Sequence, residues 1–126
     1  MEISIQEVVE LQTVLEIVKK KILPMKTSYK FARLFKAIEE KYTFYQTQIS
    51  LLISEYSEKD DEGNPVQGEQ NGVKIQADKI NECQEKINEL LALCVEIPDI
   101  KFTFEEVEPL ELTVEQFMCL IKFCEE

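Results

Sequence analysis

Between Thr27 and Tyr56, large apolar side chains recur in an unbroken seven-residue rhythm. Phe31, Ile38, Tyr45 and Leu52 form one series, and Phe35, Tyr42, Ile49 and Tyr56 the other. The two series are offset by four residues, so both fall on one stripe of a single long helix. No Pro or Gly interrupts that stretch. A lone helix of this kind is marginal in water and needs a partner along its stripe. Ile80, Cys83, Ile87, Leu90 and Cys94 repeat the same rhythm and are the predicted partner. The segment between them is long enough for the chain to reverse, which predicts an antiparallel helical hairpin.

The rest of the chain is predicted to flank that hairpin. Ser4 and Glu7 have capping-box spacing, and Val8, Leu11, Leu15, Val18 and Ile22 make one apolar face behind them. Lys19, Lys20 and Lys21 then fall in the last turns, where positive charge complements the helix dipole. Pro24 closes this helix, and Thr27 or Ser28 is the expected cap of the long one. After Ser57 the composition changes to an acidic cluster and then to Gly63, Pro65, Gly68 and Asn71-Gly72, a polar loop with a conceivable hairpin around Asn71-Gly72. Asp78 is the expected cap of the third helix. Ile100, Phe102 and Phe104 alternate with Lys101, Thr103 and Glu105, the two-residue period of a half-buried strand. Its mate is sought at Ile3 and Ile5 or in Val107–Leu112. Thr113 and Gln116 repeat the capping-box spacing before a last helix, whose inner face reads Val114, Phe117, Met118, Ile121 and Cys124.

The expected architecture is therefore mainly α, with α+β character, in a single domain over 1–126. Its parts are a helix over 4–22, a long helix over 28–57, a tip loop over 58–77, a helix over 78–94, a strand region over 95–108 and a helix over 113–125. The apolar fraction of 44% suits a folded core and not a disordered chain. No apolar run reaches the length of a membrane span, and the first residues are acidic where a secretory signal would be basic. A cytoplasmic location without membrane contact is the expectation.

Charge narrows the function classes. Residues 1–56 hold eight Lys/Arg against seven Asp/Glu, whereas 57–126 hold six against eighteen, so the net charge of −11 comes from the second half. Such a half repels phosphate backbones and disfavours nucleic acid as a partner, mimicry of nucleic acid apart. Two acidic sets are candidate interaction surface: Glu105, Glu106, Glu108 and Glu111, and Asp60, Asp61 and Glu62 in the loop. The loop set lacks the alternate-position ligands and terminal glutamate of a calcium loop, so no metal site is predicted. Lys19, Lys20, Lys21, Lys26, Lys30 and Arg33 make a candidate basic segment around the first turn.

Catalytic parts are not apparent. The chain has no histidine, no glycine-rich phosphate loop and only three glycines. The acidic pairs Glu39-Glu40, Glu105-Glu106 and Glu125-Glu126 are adjacent, and neighbours on a helix do not converge on one point. The four cysteines lack metal or redox spacing, and Cys83, Cys94 and Cys124 fit apolar positions as small buried side chains. The reading is a non-enzymatic protein without cofactor, acting through a protein partner, with homo-oligomerisation through leftover stripe of the long helix a further option.

The layout resembles a family of small uncharacterised phage and prophage proteins of Gram-positive-type bacteria. The resemblance is carried by Leu23-Pro-Met-Lys-Thr-Ser-Tyr-Lys30, Ala37-Ile-Glu-Glu40, Glu58-Lys-Asp-Asp-Glu-Gly-Asn-Pro65 and Leu112-Thr-Val-Glu-Gln116. It implies a phage-borne accessory protein working in the bacterial host cytoplasm, and it brings no catalytic residues. Within that setting the expected role is a stoichiometric inhibitor or decoy of a host antiphage-defence protein. The alternatives are a virion or tail assembly accessory and, third, sequestration of a small signalling molecule.

Overall fold

The structure is a computed structural model in which residues 1–64 and 75–124 are described. The fold is mainly helical with one small antiparallel sheet. In chain order the elements are β1 (Glu2–Ser4), α1 (Ile5–Val18), α2 (Met25–Tyr56), α3 (Ile80–Ala92), β2 (Cys94–Glu96), α4 (Phe104–Val107) and α5 (Val114–Leu120). Short 3-10 turns at Ala77–Lys79, Glu108–Leu110 and Ile121–Phe123 extend or link the helices. The chain forms two compact units, Met1–Thr43 with Cys94–Glu126, and Phe44–Leu93.

The first unit holds the main core. Ser4 caps α1 with a complete capping box: its hydroxyl accepts the Glu7 N–H at 3.2 Å, and the Glu7 carboxylate accepts the Ser4 N–H at 3.3 Å. Every third or fourth residue of α1 then points inward, and Val8, Leu11, Leu15 and Val18 pack in one cluster with Phe31, Leu34 and Ile38 of α2. The cluster is closed by Ile3, Ile100, Phe102, Leu110, Leu120 and Phe123 from the two ends of the chain. Both ends thus pack on the first part of the long helix, as the stripe requires. The sheet pairs Ile3 with Val95, flanked by Glu2 with Glu96 and Ser4 with Cys94.

Several boundaries differ from expectation. Helix α1 stops at Val18, with Lys19 as its C-cap, so Lys20 and Lys21 lie in the turn beyond it and Ile22 is fully exposed. Helix α2 starts at Met25, directly after Pro24, whose carbonyl accepts the Ser28 N–H at 2.9 Å. Thr27 and Ser28 therefore lie inside the helix instead of capping it. Ser28 Oγ donates back to the Leu23 carbonyl at 3.3 Å, and Thr27 is buried. Asp78 sits in a 3-10 turn, and Lys79 occupies the N-cap of α3 without a side-chain cap bond.

The strand expected at Ile100–Phe104 does not form. Phe102 makes an isolated parallel bridge with Cys124, its N–H donating to the Phe123 carbonyl at 2.6 Å. Thr103 instead starts α4 with a capping box to Glu106, which takes Phe104 out of the core. The mate of the N-terminal strand is Cys94–Glu96, because α3 ends at Leu93 in an extended conformation (ψ 131°). Cys94 consequently leaves the helical stripe and is exposed.

In the second unit the chain reverses between α2 and α3. Ser57 pairs antiparallel with Ile75, and the Gln76 N–H donates to the Tyr56 carbonyl at 3.0 Å. Tyr56, Ser57 and Cys83 are buried here, and Ile87 and Leu90 half-buried, whereas Ile80 is exposed. Burial raises the Tyr56 phenol above its ordinary range, with the Glu82 carboxylate adding to the effect. The hairpin expected around Asn71-Gly72 lies outside the described residues. Among the described residues no helix is long and apolar enough to cross a membrane.

Candidate protein-docking site

The C-terminal part of the first unit carries the most distinctive surface. Thr113 caps α5 through a box with Gln116, which fixes the rotation of this short helix. Leu120 is buried, and the following 3-10 turn buries Phe123. The opposite face holds Val114, Met118 and Ile121, spaced by four and three residues, and these side chains are 81%, 64% and 58% exposed. The inner face expected for this helix is therefore mostly its outer face. Only Phe117 and Cys124 of the predicted set are half-buried.

Beside this stripe lies a groove of about 400 Å³ formed by Phe104, Val107, Leu112, Val114 and Phe117. Phe104 is 58% exposed at its edge, set there by the α4 capping box. Glu108 and Glu111 line the same groove, and Glu105 and Glu115 are exposed on the elements that form it. Glu111 closes the Glu108–Leu110 turn in the left-handed region (φ 53°), where a residue with a Cβ is strained. Chemically the arrangement offers apolar contact inside and negative charge at the rim.

The four C-terminal glutamates of the sequence analysis do not act together. Glu105, Glu108 and Glu111 are exposed, but Glu106 is turned inward. Its Oε1 lies 2.8 Å from Lys30 Nζ and accepts the Thr103 N–H at 3.0 Å, while Oε2 accepts from Thr27 Oγ1 at 3.3 Å. The Lys30 ammonium, followed by the Thr103 N–H, holds this carboxyl below the usual range. Glu106 belongs to the scaffold. The acidic loop set lies in the second unit, where Asp60 Oδ1 accepts the N–H groups of Glu62 and Asn64, both at 2.9 Å. Asp60 thus shapes a turn completed by Gly63 at φ 84°, and Asp61 and Glu62 are exposed. Among the described residues, no group of three or more Cys, Asp or Glu side chains is gathered so as to hold a metal ion.

The basic segment divides as well. Lys30 is engaged with Glu106 and with the Lys101 carbonyl at 2.9 Å. Arg33 lines a separate shallow cavity with Lys36, Glu40, Lys41 and Glu96. Lys26 is exposed on the first turn of α2. Lys19 and Lys21 border a third cavity, while Lys20 is exposed between them. The exposed apolar face is not legible in the sequence because α5 carries apolar residues on both sides. Periodicity identifies an apolar face only when the other face is polar. Compared with family models, with curated proteins and with solved structures, the chain matches none.

Proposed function

We propose that this protein acts by binding another protein in stoichiometric amount and without catalysis, through the groove between α4 and α5. The partner supplies a basic amphipathic segment: its apolar side chains enter between Phe104 and Val114, and its cations face Glu105, Glu108 and Glu111. The observation that carries this reading is the exposure of Val114, Met118 and Ile121 along one edge of α5, next to a carboxylate-lined groove. Scattered exposed apolar residues are ordinary, but a contiguous set rimmed by charge marks an interaction surface. The biological setting we propose, on the sequence resemblance alone, is a phage accessory protein that blocks a host defence component in the cytoplasm.

The test uses affinity capture from a Gram-positive host lysate followed by titration of the purified partner. Wild-type protein, Met118→Glu and a Glu105→Lys/Glu108→Lys/Glu111→Lys variant are compared side by side. The proposal expects one partner in a one-to-one complex, lost in both variants and weakened by added salt. A partner retained equally by all three proteins would place the contact elsewhere and reject the groove.

A further inference from the structure

The bend between α1 and α2 borders the third cavity, an open one of about 300 Å³ and chemically different from the α4–α5 groove, at the lower end of the size range of small-ligand sites. Its walls are mostly apolar, with Leu15 and Val18 from α1, Leu23 from the turn, and Phe31 and Phe35 one helical turn apart on α2; Ser28 also lines it, its hydroxyl donating to the Leu23 carbonyl. Its existence follows from the local sequence. Helix α1 ends at Val18, the chain folds back through the residues up to Pro24, and Ala32 is too small to fill the space beside the two phenylalanines. The mouth is cationic. Lys19 and Lys21 line it, and Lys19 Nζ sits 5.1 Å from the centre of the Phe35 ring. The two ammonium groups belong to the basic segment around this turn, in the half of the chain that carries no net negative charge.

We propose that this cavity binds a small amphipathic anion, a carboxylate carrying an unbranched or aromatic tail. The tail lies against Phe31 and Phe35, and the carboxylate meets Lys19 and Lys21 at the mouth. The volume accommodates roughly ten heavy atoms at about 30 Å³ each, which is the size of an eight-carbon fatty acid. A neutral tail of the same length gains only the apolar contact. An amine of the same length is repelled by the lysines. The site is independent of the α4–α5 groove and of the protein partner proposed for it.

Calorimetric titration with octanoate, octanol and octylamine tests the assignment on the full chain. Octanoate is expected to bind saturably at one site, at least tenfold more tightly than octanol, with octylamine weakest. Lys19→Glu/Lys21→Glu is expected to reverse the order of octanoate and octylamine. Ala32 is exposed on α2, so Ala32→Leu fills the cavity without disturbing the core and is expected to abolish binding of all three. Octanol binding as tightly as octanoate, octanoate binding unchanged by Ala32→Leu, or no saturable binding of octanoate at millimolar concentration would each overturn the proposal. Should Ala32→Leu fail to give the wild-type helical spectrum, the charge-reversed pair still decides the question.

Discussion

Lys30 on α2 and Glu106 on α4, 76 residues apart in the chain, meet at 2.8 Å and make the hinge of the capping system that aims α4. The same carboxylate closes the Thr103 capping box and accepts from the buried Thr27 hydroxyl. Replacing Glu106 with Ala removes the box and leaves Lys30 without its anion, for an expected cost of about 1–2 kcal/mol. Chemical denaturation at neutral pH measures this directly. Lys30→Ala, which leaves the box intact, is expected to cost less than Glu106→Ala.

The same pairs set an acid dependence. Glu106 is held below its usual range, first by Lys30 and then by the Thr103 N–H. Burial pulls Glu7 upward, but hydrogen bonds from Lys122 and Ser4 outweigh it, and its net shift is also downward. A carboxyl lowered in the folded state stabilises the fold fully above its unfolded value, and that contribution fades as pH falls through the folded value. Stability is therefore expected to decline as the pH drops below about 4.5, and Glu106→Gln should flatten part of that decline. Denaturation midpoints for both proteins across that range give the comparison.

The two-residue alternation places Phe102 and Phe104 on one face of a strand, and the structure separates them. Phe102 is 0% exposed and stacks on Phe31 with ring centres 4.2 Å apart, whereas Phe104 is 58% exposed. Phe102→Ala is expected to cost about 3–5 kcal/mol. Phe104→Ala is expected to change stability by less than about 0.5 kcal/mol, while weakening partner binding. Equal losses for the two would mean that the chain keeps the strand after all.

Glu111 offers a test in which stability and binding move in opposite directions. Its left-handed backbone favours glycine, so Glu111→Gly is expected to raise stability by about 1 kcal/mol. The same change removes a carboxylate from the groove rim and is expected to weaken the complex. Thermal melting and titration on one sample read both effects.

Elements defined by local chemistry were legible in the sequence. Ser4 with Glu7 and Thr113 with Gln116 are true capping boxes because the bond they make spans only three residues. Thr103 with Glu106 has the same spacing, but the alternation of Ile100, Phe102 and Phe104 across it has the period of a strand. Tertiary packing decided that case: Phe102 found a stacking partner on α2, and Phe104 did not need one. The long helix and its inward residues Phe31 and Ile38 were readable from period alone. Which side of α5 faces solvent was not, because both sides are apolar and only the Thr113 cap and the burial of Leu120 fix its rotation. The acidic candidates divide between the surface, with Glu105, Glu108 and Glu111, and the scaffold, with Glu106, and a carboxylate's partner across 76 residues leaves no local trace.

The docking role proposed for the α4–α5 groove is tested most directly by titrating the captured partner with wild-type protein and with Met118→Glu over a range of salt. Met118 is mostly exposed, so this substitution is expected to leave the melting temperature within the reach of about 0.5 kcal/mol of the wild type. Binding by wild type is expected to weaken steadily with salt, and Met118→Glu is expected to reduce affinity at least tenfold at every salt concentration. Undiminished binding by a fully folded Met118→Glu protein would contradict the proposed docking role.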